Sequence, residues 1–189
     1  MSLKNQKTKS DFLDWDRFQL LIHQLERDSE HKFLLLISIG CYTGLRISDV
    51  LGLRWKDLVN KENILLIEKK TKKERSIQIN ERLQELIRDN YKAQPLDELV
   101  FINRYCTGAI SVQYVNRKLK QLFDHYAIEG NYSSHFMRKT LGRRVWNQNN
   151  HSEKSLFMLS QLFNHSSVQT TKIYLGIQEQ EIQNIYLNL

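Results

Sequence analysis

The sequence predicts a mainly α-helical domain carrying one small antiparallel β-sheet, an α+β fold. Three observations lead there. Apolar residues recur at helical spacing over most of the 189-residue chain. A single segment, residues 64–79, has the character of paired strands. One proline and seven glycines leave few forced breaks in regular structure. With 41% hydrophobic residues the chain can bury a core, and a disordered chain is excluded.

Phe18, Leu21, Ile22 and Leu25 place the first helix over residues 14–27, after a polar, basic segment that reads as a flexible tail, residues 1–11. The second helix covers 31–42, includes the greasy run from Phe33 to Cys41, and stops at Thr43-Gly44; a short third covers 45–53. Ile64-Leu65-Leu66-Ile67 is a strand, Lys69 to Lys73 a polar turn, and Ser76-Ile77-Gln78-Ile79 alternates with period two, which makes a β-hairpin with a very basic tip. Asn80 caps a helix to residue 90. Further helices are expected at 111–126, 134–147, 154–163, 169–174 and 179–187. One domain therefore spans 12–177, with a C-terminal helix in 178–189 whose Ile182, Ile185, Tyr186 and Leu189 form an apolar stripe.

No apolar run reaches the roughly 18 residues a membrane helix needs, and Met1 to Ser10 lacks the apolar centre of a secretory signal. Cys41 and Cys106 stand far apart and outside any metal-ligand spacing, so neither a disulfide nor a metal site is expected. The formal net charge is +7 and unevenly placed. Residues 61–75 hold six Lys/Arg against three acids and 117–144 hold seven against two, leaving the rest near neutral. Localised positive charge points to a polyanion partner, since each neutralised phosphate releases counterions; a lysine-rich solvated surface is the plainer alternative.

Several polar residues sit where a helix bundle has no need of them. Arg46 directly follows Thr43-Gly44; His135 and Arg138 share one face at a helix start; His165 follows a helix end, and Tyr174 comes nine residues later. Cleaving a phosphodiester requires donors that hold the extra negative charge, which arginine supplies with a planar, permanently charged fork. It also requires a nucleophile and a proton for the departing oxygen. A free tyrosine is ionised to only roughly one part in a thousand at neutral pH, so it needs help. Two arginines, two histidines, a lysine and a tyrosine would fill these roles. Each alone is weak: a helix-start arginine is usually a surface residue, and a tyrosine in an amphipathic stretch is usually core.

In this order, however, the residues resemble a family. Thr43-Gly44-Leu45-Arg46-Ile47-Ser48-Asp49 is similar to the first arginine box of the tyrosine recombinases, the phage integrase family, and Leu51 to Leu58 continues it into the first strand. Lys70-Thr71-Lys72-Lys73-Glu74-Arg75 looks like the hairpin bearing the family's catalytic lysine. His135-Phe136-Met137-Arg138 is similar to its His-x-x-Arg box, and Asn164-His165-Ser166-Ser167 with Thr170 to Tyr174 resembles the stretch ending in its nucleophile. The resemblance covers almost all of the chain after residue 12 and implies the tyrosine recombinase catalytic-domain fold. It departs from the usual pattern at Met137 and Lys139, and at Asn164, where a glycine is common.

Carried over, the resemblance implies that Tyr174 attacks the scissile phosphate to give a 3′-phosphotyrosine and a free 5′-hydroxyl. Arg46 and Arg138 clamp the non-bridging oxygens, Lys70 is the general acid, His135 assists proton transfer at the nucleophile, and His165 hydrogen-bonds the phosphate. Asp49 orients Arg46 or a neighbouring group from behind. Lys69, Lys72, Lys73, Lys139 and Arg143 are expected DNA contacts. Neither metal, ATP nor other cofactor is implied. The partners are double-stranded DNA and further copies of the chain, as a dimer or tetramer on it, in the cytoplasm of a prokaryote at the nucleoid. The C-terminal helix either docks on a neighbouring protomer or folds back on its own domain. Too few residues precede Arg46 for the family's N-terminal clamp domain, so the chain is either a fragment or resembles the small recombinases with a catalytic domain alone. Three other readings compete: a non-catalytic DNA-binding protein of this fold, a type IB topoisomerase-like enzyme, and a helical scaffold with a basic surface.

Overall fold

The structure, a computed structural model, describes residues 9–188, apart from the side chains of residues 178–181. Along these residues run α1 Trp15–Arg27, α2 His31–Thr43, α3 Ile47–Val50, β1 Asn63–Ile67, β2 Glu74–Gln78, α4 Glu81–Asn90, α5 Val112–His125, α6 His135–Gln148, α7 Glu153–Leu162, α8 Val168–Leu175 and α9 Ile177–Leu187. The mainly helical class with one antiparallel pair is as expected.

Helix α2 lies at the centre because it is apolar all round: Phe33 to Cys41 are buried without exception. Helices α1, α4 and α6 pack around it. Gly40 lets α6 come close, since a Cβ there would sit 2.9 Å from the Cβ of Met137. The helix stops at Gly44, whose φ of 64° is left-handed, and the next residues turn out toward the hairpin. That turn leaves Arg46 extended (φ −70°, ψ 146°), so α3 is shorter than the spacing suggested.

The hairpin pairs Ile64 with Ile77 and Ile67 with Glu74. Its strands begin at Asn63 and Glu74, earlier than expected, and its turn, residues 68–73, is closed by backbone bonds from Glu68 N–H to Lys73 O (3.0 Å) and from Lys72 N–H to Glu68 O (2.8 Å). Leu51 to Leu58 leads from α3 toward β1. It holds a 3₁₀ turn, Trp55–Asp57, because the Asp57 carboxylate takes the Arg54 N–H (2.8 Å) and Trp55 N–H bonds to Glu98 O (3.1 Å). Side-chain caps open α4, α5, α7 and α8: Asn80, Ser111, Ser152 and Ser167 each accept a backbone N–H.

Among the described residues the buried apolar side chains form two groups. The large one is built on α1, α2, α4, α5 and the first turn of α6; the small one gathers Trp146, Leu156, Leu159, Phe163, Leu175 and Ile177. At the N-terminus the expected tail is anchored from Lys9 onward, while residues 1–8 lie outside the described residues. Asp11 N–H donates to Asn131 O (2.8 Å), Asn131 Nδ2 to Lys9 O (3.0 Å), and Ser133 N–H to Ser10 Oγ (3.1 Å). At the C-terminus the stripe on α9 does not fold back: Ile182, Ile185 and Tyr186 are exposed, the last at 74%. Leu189 of that stripe lies outside the described residues. No helix of the described residues is long and apolar enough to cross a membrane.

Candidate active site

An open cleft of about 510 Å³ lies where the hairpin turn, the start of α6 and the α7–α8 connection meet, and Arg46, Lys70, His135, Arg138, His165 and Tyr174 all line it. They arrive from five places in the fold: the bend after α2, the hairpin turn, the first turn of α6 (His135 and Arg138), the loop after α7, and the last turn of α8.

The two arginines are held from behind. Arg138, 4% exposed, donates Nη1–H to Gly44 O (2.7 Å) and Nη2–H to Phe163 O (2.5 Å), with its guanidinium 4.4 Å from the centre of the Phe163 ring. Burial lowers its pKa to about 10, still well above neutral. Arg46 donates Nη2–H to the same Phe163 O (3.2 Å) and Nη1–H to Glu68 Oε2 (2.7 Å). Sequence reasoning missed both partners. Glu68 is 0% exposed and also takes Arg75 Nη1–H on Oε1 (2.9 Å) and Thr71 Oγ–H on Oε2 (2.6 Å). Burial pushes its carboxyl up, but Thr71, Arg75 and Arg46 outweigh this and bring its pKa to about 2. Asp49 does not reach Arg46; its Oδ1 accepts Lys69 N–H (2.9 Å) and fixes the base of the hairpin turn.

The histidines are held neutral. Burial, then the charges of Arg138, Arg46 and Lys70, lower the pKa of His165 to about 4, and its Nδ1 lies 3.0 Å from Thr171 Oγ1. Burial, then Arg138, Lys139 and Lys70, lower His135 as well. Tyr174 packs edge-on against His165 and Phe163, with centroids 5.2 and 5.8 Å away. Its hydroxyl lies 3.5 Å from the backbone carbonyl of His135, and its ring centroid 6.5 Å from that imidazole's. Burial raises its pKa to about 12, against the pull of Arg138 and Arg46. Asn164 explains the departure from glycine: its φ of 53° is left-handed, a conformation asparagine tolerates better than most residues.

Of the expected DNA contacts, Lys69, Lys72 and Lys73 are exposed on the hairpin turn, Lys73 Nζ donating to Asn164 Oδ1 (3.1 Å). One expectation requires correction, Lys139, and another residue, Arg143, lies apart from the cleft. Lys139 is 7% exposed, donates Nζ–H to Ser10 O (2.6 Å), and sits 5.5 Å from the Tyr174 ring centre, so it faces inward. Arg143 is half-buried with its guanidinium 4.5 Å over Phe12, in a separate groove beside α9. Both lie on α6 beyond its first turn, and there the helix faces the anchored N-terminal segment rather than solvent. Among the described residues no group of three or more His, Cys, Asp or Glu is gathered as metal ligands.

Comparison with known proteins places this geometry. The model of the phage integrase family matches residues 11–181, and the chain belongs to that family. It is 32% identical over 168 residues to a probable integrase/recombinase, YoeC, of Bacillus subtilis (strain 168), covering 89% of this chain and 87% of that protein. It is 25% identical over 178 residues to the tyrosine recombinase XerC of Caldanaerobacter subterraneus subsp. tengcongensis, covering 91% of this chain but 49% of that one. The chain thus spans about half the length of this XerC relative. Among solved structures it resembles the XerA recombinase (TM-score 0.71, 19% identity, 96% of this chain and 66% of that one). It also resembles a λ integrase dimer bound to a core site (TM-score 0.66, 19% identity, 90% of this chain and 61% of that one). At these identities the structures speak for the fold: the tyrosine recombinase catalytic domain.

Proposed function

We propose that the chain is a site-specific DNA recombinase that cleaves and rejoins strands through a 3′-phosphotyrosine. The observation that carries this reading is the lining of one cleft by two arginines, two histidines, a lysine and a tyrosine drawn from distant parts of the sequence. Tyr174 Oη attacks the scissile phosphorus; the new Oη–P bond forms as the P–O5′ bond breaks. The tyrosine proton passes to His135, which burial keeps neutral and therefore able to accept it. Lys70 gives its proton to the departing 5′-oxygen. Arg46 and Arg138 hold the non-bridging oxygens through the charge build-up. His165, in the tautomer whose Nδ1 accepts from Thr171, donates its Nε2–H to a phosphate oxygen. The phosphotyrosine keeps the energy of the broken bond, so rejoining needs neither ATP nor a metal.

The partner is double-stranded DNA in the cytoplasm of a prokaryote, at the nucleoid, with two or four copies of the chain assembling on it. Lys69, Lys72 and Lys73 contact the backbone beside the cleft. The domain proper spans residues 12–177, and α9 is free to engage a neighbouring copy. The test is incubation with nicked suicide duplexes tiled over the DNA flanking the chain's own coding sequence, in EDTA, followed by denaturation. A covalent protein–DNA adduct is expected from the wild type and none from Tyr174→Phe. An adduct that survives in Tyr174→Phe would assign the nucleophile elsewhere, and no adduct in either would favour a DNA-binding protein without this activity.

A further inference from the structure

We propose that Glu68 is a positioning residue that ties the phosphate-holding Arg46 to the turn bearing Lys70, and so sets two groups of the reaction with one carboxylate. The proposal rests on the recombinase reading of this cleft. Two features of Glu68 are not needed by a hairpin for its own sake. It is an acid with no exposure, at the end of a strand whose neighbours Ile67 and Lys69 are exposed. Burying a carboxylate in a surface hairpin is unfavourable unless it is fully paired, and here both oxygens are: Oε2 by Arg46 and Thr71, Oε1 by Arg75. Its backbone closes the turn at both ends, through Lys73 O and Lys72 N–H.

Side chain and backbone of one residue therefore fix two different things. The carboxylate holds Arg46 by Nη1, Phe163 O holds it by Nη2, and the remaining donors of the fork are left to the cleft. The Thr71 hydroxyl, adjacent to Lys70, is pinned to the oxygen that Arg46 uses. A shift of the turn carries Arg46 with it, and the reverse. The negative charge does not compete with DNA for the front of the site, because Glu68 lies behind Arg46, whose side chain retains 19% exposure while the acid has none. It also offsets the repulsion between Arg46 and Arg75, which would otherwise push the clamp open.

The test compares wild type, Glu68→Gln, Arg46→Ala and Lys70→Ala on suicide duplexes with an ordinary scissile phosphate and on the same duplexes with a 5′-bridging sulfur. The sulfur leaves as a stable thiolate and needs no proton, so a defect in the general acid is relieved and a defect in the arginine clamp is not. Glu68→Gln is expected to form adduct roughly 10- to 100-fold more slowly on the ordinary duplex, the range typical of residues that orient active-site groups. The sulfur should restore part of that loss, less than it restores to Lys70→Ala and more than to Arg46→Ala. A Glu68→Gln rate within about twofold of wild type would overturn the proposal, as would a loss that sulfur leaves untouched. A globally damaged protein would be slow on both duplexes alike. If Glu68→Gln alone fails to fold, Glu68→Gln/Arg75→Gln rebalances the buried charge and is read the same way. A wild type that forms no adduct on either duplex overturns the recombinase reading and this inference with it, whereas an active wild type with an indifferent Glu68→Gln overturns the inference alone.

Discussion

The six candidate catalytic side chains of the cleft differ in how they are held, and the difference bears on which lysine would give the proton. Lys70 lines the cleft; Lys72 sits exposed at the tip of the turn with φ 58°, and Lys73 is drawn sideways to Asn164. Lys70→Ala should therefore lose roughly a hundredfold or more in cleavage, the usual worth of a general acid. Lys72→Ala should stay within about threefold, the size of a lost surface contact. Quenched-flow measurement of adduct formation decides it, and an inactive Lys72→Ala would move the acid by two positions. That these arginines, histidines, lysine and tyrosine belong together was legible in the sequence, through the order in which they resemble the family's boxes, and the structure lines one cleft with all six. Glu68 was not, since it belongs to a run of charge that looks like a solvated hairpin tip until its register shows it turned inward. Nor was Phe163, which serves the site mainly through a carbonyl that any residue would carry. Lys139 was misjudged for the converse reason: its charge type was visible, but the segment covering that side of α6 was not.

Among the elements, the pairing of α2 with α6 matters most to the cleft, because it sets Arg46 beside Arg138. The contact is close at Gly40, and two effects of opposite sign meet there. Replacing a mid-helix glycine by alanine normally stabilises by about 1 kcal/mol. Here the new methyl would press on Met137, including its Cβ, which cannot swing away, and overpacking typically costs about 1–3 kcal/mol. Gly40→Ala should accordingly lower stability rather than raise it, read as a fall in the urea midpoint at unchanged slope. A rise would mean that α6 can retreat at little cost. Helix positions were legible from periodicity, usually within two residues. The exception was the passage from α3 to β1, where the helix ends earlier than expected and a 3₁₀ turn follows: its partners lie some forty residues on, at Leu96 to Leu99, and no local pattern announces them.

For the whole molecule, the positive charge is divided between exterior and interior. The lysines of the hairpin turn face outward, while Arg138 and Lys139 from the second basic window are buried and Arg143 half-buried. Burial first, and then the charge of Arg138 and its basic neighbours, disfavours the charged form of His165 and His135, and this ties stability to pH. His165 binds a proton near pH 6.5 when unfolded but only near 4 when folded. The unfolded chain thus takes up more protons between those values, and stability is lost as pH falls through that window. Glu68, ordinarily 4.5 but about 2 when folded, adds a further loss below pH 4.5. Urea midpoints should be steady near pH 7, decline from about 6.5, and steepen below about 4.5; His165→Gln should flatten the first part of the decline. A profile that stays level down to pH 4 would contradict both assignments. Finally, Arg46 and Arg138 share one anchor, the carbonyl of Phe163, so their spacing belongs to the main chain rather than to two independent rotamers. A carbonyl cannot be removed by mutating its residue. Drift at position 163 can spoil packing but cannot delete the anchor, and the vulnerability passes to the adjoining Asn164, whose left-handed φ makes the path of the peptide depend on which residue stands there.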